Sequence, residues 1–151
     1  MPDMIVRLYD LPDHIATIEQ LGAQGVTVRR ALEQERLSLV NWVGERFEGW
    51  VKEVEVSFGQ DPVSCFVALQ GEELLGFAAY DVACINFFGP TGVAIEHRSR
   101  GIGRGLTLAT LHAQKEQGYA YAIIGGVGPV EFYEKVVGAQ LLEHSTPGIY
   151  G

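Results

Sequence analysis

Apolar and polar positions alternate on two periods along the 151-residue chain, and the two periods divide it into short strands and short helices. Residues 4–9 (Met-Ile-Val-Arg-Leu-Tyr) alternate weakly and predict a short strand, and Leu11-Pro12-Asp13 predicts a turn with Asp13 placed to cap a helix. Ile15, Ile18 and Leu21 recur every three residues, as on a short helix closed by Gly22 or Gly25. Residues 26–31 read as a strand. Residues 33–47 read as a helix, with Leu37, Val40, Trp42, Val43 and Phe47 among its apolar positions. Trp50, Val51, Val54 and Phe58 predict a second short helix, stopped by Gly59 and Pro62. Residues 65–69 and 74–80 flank the turn Gln70-Gly71-Glu72 and predict a hairpin. Residues 86–95 form the next strand, broken by Gly89-Pro90; proline cannot donate to a ladder, so Pro90 marks an edge or a bulge. Leu106 opens a helix with Ala109 and Ala113 on one line and Leu108 and Leu111 beside it, and Gly118 ends it. Residues 119–124 are apolar on both faces, the pattern of a buried parallel strand. Pro129 starts a helix running to Val136. A last strand lies around 140–143, and Ile149-Tyr150 is barely a strand, so the final strand is expected to be truncated at Gly151.

The stretch from Val93 to Leu106 joins a strand to a helix through a turn with glycine at 101, 103 and 105. The first turn of a helix leaves N–H groups without partners at the positive end of the dipole, so a strand, glycine turn and helix start form a ready site for phosphate. Arg98, Arg100 and Arg104 are three of eight arginines in a chain of net charge −8, and they concentrate positive charge there. The stretch is not a Walker A loop, because the chain has no Gly-Lys pair. It is not the dinucleotide fingerprint either, because Leu106 stands three after Gly103. A pyrophosphate cradle fits.

Arg98-x-x-Gly101-x-Gly103 resembles the signature of the GNAT superfamily, the acyl-CoA-dependent N-acetyltransferases. Phe132-Tyr133-Glu134-Lys135-x-x-Gly138-Ala139 resembles the Phe-Tyr-x-x-x-Gly-Phe region of the same enzymes. The resemblance extends over residues 26–142. It implies an α/β fold with a mixed, strongly twisted central sheet, helices on both faces, and a splay between the fourth and fifth core strands. It also implies one globular domain at 26–151, preceded by an extension at 1–25 that packs on the domain or on a partner. The splay would hold the pantetheine arm of acetyl-CoA through backbone groups near Val93, Ala94 and Ile95. Arg98, Arg100, Gly101, Ile102, Gly103, Arg104, Gly105 and Leu106 would form the cradle, with Gly128 and Phe132 completing the cofactor contacts. Tyr133 would protonate the departing thiolate. The implied reaction is acetyl transfer from acetyl-CoA to a primary amine of a small molecule by direct attack. The alternatives are another acyl group, a protein acceptor, or a CoA-binding module without turnover. Three departures stand out: Gly128 where relatives often have Asn, the short final strand, and Phe87, Phe88 and Gly89 where some relatives carry a basic side chain.

Composition narrows the classes further. A hydrophobic content of 47% with 20% charged residues is that of one globular domain. The acidic balance, pI ≈ 4.9, argues against general nucleic-acid binding. No apolar run is long enough to span a membrane, no signal peptide is recognisable, and a cytoplasmic location is the default expectation. Cys65 and Cys84 read as two buried thiols in a reducing compartment, with one disulfide as the alternative, and His14, His97, His112 and His144 lack metal-ligand spacing, so no metal is expected. Acids crowd residues 33–55, as a solvated helix face or as the entrance for a cationic amine. Asp81, Glu35, Glu53 and Glu55 are candidate bases. The acceptor, the base and a homodimer through the N-terminal segment stay open.

Overall fold

The computed structural model describes residues 1–151. In chain order the elements are β1 (Met4–Arg7), α1 (Ile15–Ala23), β2 (Val26–Arg30), α2 (Arg36–Arg46), α3 (Val51–Phe58), β3 (Cys65–Gln70), β4 (Glu73–Tyr80), β5 (Phe87–Val93), α4 (Ile102–Glu116), β6 (Tyr121–Ile124), α5 (Val130–Val137) and β7 (Gln140–Leu141). The strands form one mixed sheet in the order β2-β3-β4-β5-β6-β1-β7. Side chains alternate across each strand, so the sheet presents two apolar faces. One face packs with α1, α4 and α5 around Leu75, Ala78, Leu106, Leu108 and Val136. The other packs with α2 and α3 around Leu39, Val43, Val54, Val67 and Phe77.

The N-terminal strand lies inside the sheet. β1 pairs antiparallel with β6 from Met4↔Ile124 to Arg7↔Tyr121, and with β7 at Met4↔Leu141 and Ile5↔Gln140. Met4, Val6 and Leu8 are fully buried. β7 has only two residues, and β1 supplies the ladder that so short a strand cannot.

β5 is the strand that opens the sheet. Its parallel pairing with β6 is limited to Phe87↔Ile123 and Phe88↔Ile124, and beyond Phe88 the two strands part. On its other side it pairs with β4, with a register shift between Ala78 and Tyr80. Two residues, Gly89 and Pro90, oppose the single Ala79 there, so Pro90 sits at a bulge inside the sheet and not at an edge.

Several boundaries differ from the sequence pattern. β5 stops at Val93, and Ile95 is 76% exposed on a 3₁₀ turn (Ile95–His97). α4 begins at Ile102, a turn earlier than its first apolar stripe, because Gly101 takes a left-handed φ of 85° that Cβ-bearing residues resist and so starts the helix. Glu33–Glu35 and Glu48–Trp50 are 3₁₀ turns that lead into α2 and α3. β6 is not buried on both faces: Ala122 and Ile124 are in the core, but Tyr121 is exposed and meets Tyr9 edge-on at 5.6 Å. Ile149 and Tyr150 lie in a 3₁₀ turn (Gly148–Tyr150). Cys84 is half-buried in the β4–β5 connection and not a core thiol; Cys65 is buried, and burial pushes its thiol up to about 12.

Candidate active site

The first backbone bond of α4 runs from the Gly105 N–H to the Gly101 carbonyl at 3.0 Å. The amides of Ile102, Gly103 and Arg104 therefore have no acceptor within the helix. They open on a cleft of about 570 Å³ bounded by the end of β5, the start of α4 and the start of α5. Gly103 stands in its wall: a Cβ there would lie 3.8 Å from Phe132 Cζ and 3.9 Å from Val93 Cγ2. Arg98 and Arg104 border the cleft, and Arg98 Nε donates to the Val93 carbonyl at 3.2 Å.

Eight of the sequence-derived residues converge on this cleft: Val93, Arg98, Gly101, Ile102, Gly103, Arg104, Phe132 and Tyr133. The others lie elsewhere. Ala94 is buried and its N–H bonds the Leu75 carbonyl at 2.8 Å, and Ile95 faces solvent. Arg100 turns away, its guanidinium 3.0 Å from His97 Nδ1 and 3.3 Å from Gln70 Oε1. Gly105 is buried against α1, where a Cβ would lie 2.5 Å from Leu21 Cδ1, and Leu106 is in the core. Gly128 is exposed in the loop before α5, next to Pro129, which does border the cleft. The division follows the helix period: the first turn of α4 faces the cleft, and the next residues face α1 and the sheet.

Alternation along β5 decides which strand groups are free. Ala94 bonds across to Leu75, and the register Phe77↔Gly92 continues that hydrogen-bonded set. The amide and carbonyl groups of Thr91 and Val93 therefore point the other way, into the opening toward β6. With the Val93 carbonyl held by Arg98, the Val93 N–H and both groups of Thr91 form an unpaired strand edge.

Tyr133 is 5% exposed, and burial alone raises its phenol to about 12. Its ring meets Phe132 at 5.1 Å and Phe88 at 6.0 Å, both edge to face. Across the cleft stand Phe47 and Trp50, stacked at 5.2 Å. Phe47 packs against β5 because Gly92 has no side chain; a Cβ there would meet the Phe47 ring at 2.7 Å. Phe47, Trp50, Thr91 and Gly92 carry no motif. The bare Gly92 within a strand pattern is the one signal of a close approach.

The candidate bases also separate. Glu35 pairs with Arg29 through two bonds of 2.9 and 2.8 Å and accepts the Leu32 N–H at 2.8 Å, and the Arg29 hydrogen bond holds its carboxyl below the usual range. Asp81 accepts the Asn86 N–H at 2.7 Å in the β4–β5 turn, and burial raises its carboxyl. Glu55 is exposed on α3. Glu53 borders a cavity of about 410 Å³ on the other side of Phe88, between α3, the β5 bulge and the loop after β6. No group of three or more His, Cys, Asp or Glu converges as a metal site, and no helix is long and apolar enough to cross a membrane.

No family model and no curated protein matches the sequence. Solved structures do match the fold. The GCN5-related glucosamine N-acetyltransferase region of a fungal multi-domain GH3 β-N-acetylglucosaminidase superposes with a TM-score of 0.76 at 19% identity, over 93% of this chain and 19% of that one. A GCN5-related N-acetyltransferase from Sphaerobacter thermophilus gives 0.70 at 17% identity, over 93% of this chain and 48% of that one. An aminoglycoside acetyltransferase from an uncultured soil metagenomic sample, in complex with sisomicin, gives 0.57 at 15% identity, over 76% and 88%. The chain spans about a fifth and about half of the length of the first two. With its splayed β5 and β6 and its glycine-led α4, the chain has the fold of the GCN5-related N-acetyltransferases, the GNAT superfamily.

Proposed function

We propose that the protein is an N-acetyltransferase that passes an acetyl group from acetyl-CoA to a primary amine. The observation that carries this reading is the convergence on one cleft of three free helix-start amides, an unpaired strand edge and a buried phenol with no charged neighbour. Acetyl-CoA would supply a thioester carbonyl for direct attack by the neutral amine nitrogen; an amide C–N bond would form, the C–S bond would break, the nitrogen would lose its proton to water, and CoA would leave as the thiol.

The chain's own groups fit that chemistry. The amides of Ile102, Gly103 and Arg104 bind a pyrophosphate, and Arg98 and Arg104 add charge that draws a polyanion to an otherwise acidic protein. The Thr91–Val93 edge takes amide groups of an extended arm as an added strand would. The Val93 N–H serves as donor to a carbonyl oxygen that gains charge. Tyr133 donates its proton to the departing sulfur. Burial raises the phenol to about 12, so Tyr133 keeps its proton across neutral pH and has it to give when the sulfur departs.

The test is thiol release from acetyl-CoA across a panel of primary amines, together with the melting temperature in acetyl-CoA. Amine-dependent thiol release and a rise in melting temperature are expected. A rise without release would make the protein a CoA-binding module; neither would end the reading.

A further inference from the structure

α1 runs antiparallel to α4, and a contact near each of its ends fastens it. Near its C-terminal end Leu21 fills the space over Gly105, where a Cβ would lie 2.5 Å from Leu21 Cδ1. At its N-terminal end the rings of His14 and His112 stack, with centroids 4.1 Å apart and planes at 28°. Beside the stack lies a cavity of about 350 Å³, walled by Ile15 and Ile18 of α1, Ala109 and Ala113 of α4, and Val28 and Phe66 of the sheet. The hollow thins the apolar contact under the first turns of α1, and Ile15 is exposed. We propose that the His14–His112 stack is a pH-operated latch, which fastens α1 to α4 at neutral pH, releases it in acid, and thereby weakens cofactor binding at the start of α4. The last step rests on the acetyl-transfer reading; the latch does not.

The protons on the two rings follow from their partners. The Pro12 carbonyl can only accept, so His112 Nε2 carries a proton and donates it at 2.8 Å, tying the turn before α1 to α4. His14 Nδ1 is buried without a hydrogen-bond partner and lies 4.0 Å from Asp13 Oδ1, the oxygen that accepts the Ile15 N–H at 3.0 Å. Neutral imidazoles stack, but two imidazolium rings at 4.1 Å repel each other in a partly buried seam. His14 also stands just before the first turn of α1, at the positive end of the helix dipole, which disfavours a cation there. The other charges around the pair are Asp13, Glu19 of α1, Glu116 of α4 and Arg30 of β2. Asp13 and Glu116 favour a charged His14, but burial first, and then His112, outweigh them and hold it below its ordinary 6.5. A folded value below the unfolded one keeps the latch closed above about pH 6.5 and opens it as the pH falls through the folded value. A free helix of nine residues is too short to persist alone, so release of the stack loosens Leu21 as well. Leu21 backs Gly105, next to the free amides of Ile102, Gly103 and Arg104.

Hydrogen–deuterium exchange of the full chain at pH 7.5 and pH 5.0 reads the latch, with labelling times scaled to the intrinsic pH dependence of exchange. The amides of residues 11–23 are expected to lose about tenfold or more of their protection at pH 5.0, while α2 on the opposite face keeps its own. His14→Phe leaves a ring on His112 and removes one of the two charges, and a lone imidazolium is attracted to an aromatic face. H14F should therefore keep α1 protected at pH 5.0. His112→Gln removes the other charge, retains an N–H for Pro12, and should abolish the pH dependence as well. CoA affinity, by calorimetry, should fall about threefold or more further in the wild type than in H14F between the two pH values. Unchanged protection of α1 in the wild type, or the same loss in H14F and H112Q, overturns the latch. Release of α1 with equal pH dependence of CoA affinity in the wild type and H14F overturns the link to the cleft. A protein that binds no CoA at either pH removes the acetyl-transfer reading, and the exchange result still decides the latch.

Discussion

The rings of Phe88 and Tyr133 meet edge to face, with centroids 6.0 Å apart and planes at 74°. Phe88 is the last residue of β5 that pairs with β6, so this contact sits where the sheet begins to open. The pair is the partition between the cleft and the Glu53 cavity. Phe88 is 2% exposed, and Phe88→Ala removes a buried ring from the point where both strands are anchored. Denaturant unfolding should show a loss of about 3–5 kcal/mol. A loss under about 1 kcal/mol would mean that the partition is not a packed element.

Gly103 and Gly105 are two residues apart and do different things. A side chain at Gly103 projects into the cleft at ordinary contact distance, whereas one at Gly105 collides with buried Leu21. Gly103→Val should fold and lose most of the acetyl-CoA shift in melting temperature. Gly105→Ala should melt lower in the free protein and keep the shift. The reverse pattern would place the ligand on the α1 side of the helix.

The Arg29–Glu35 pair gives a pH signature. The folded carboxyl lies below its unfolded value of 4.5, so its contribution is fully present above about pH 4.5 and is lost as pH falls through the folded value. The two side chains are 37% and 24% exposed, which screens the pair. Glu35→Gln should cost about 1 kcal/mol at neutral pH, and the gap to the wild type should close as the pH falls below 4.5. A gap that stays constant into acid would show that the pair contributes through packing alone.

β1 is held by register and burial together. Met4 is fully buried and pairs with both β6 and β7. Met4→Ala should cost about 2–5 kcal/mol. Stability within 0.5 kcal/mol or so of the wild type would show that the N-terminal strand is dispensable to the sheet.

Much of this was legible along the chain, and the limits have physical causes. The strand–helix order followed from period, and Gly101 and Gly103 do stand at the turn that opens α4, because their spacing is local. Gly105 belongs to the same run, but its reason for being glycine is Leu21, a contact across two helices that no local pattern encodes. Phe47 and Trp50 had the look of core residues; Phe47 does pack on the core, Trp50 is 37% exposed, and that the Phe47 ring walls a cleft depends on Gly92, distant in sequence. Among six acids between residues 33 and 55, composition could not single out Glu53, because what distinguishes it is burial without a partner. The place of β1 between β6 and β7 is a long-range pairing, and a weak alternation of six residues carries no address.

The central claim is that the cleft at the start of α4 transfers an acetyl group with Tyr133 as the acid. The most direct measurement is the pH profile of kcat for amine-dependent thiol release by the wild type and by Tyr133→Phe, with acetyl-CoA affinity measured in parallel. Because burial raises the phenol to about 12, the wild type should show no alkaline loss from this group up to about pH 10. Tyr133→Phe should lower kcat by about 10²-fold across that range and leave acetyl-CoA affinity within a few-fold. Equal kcat in the two proteins at every pH, with affinity and folding intact, would contradict the account.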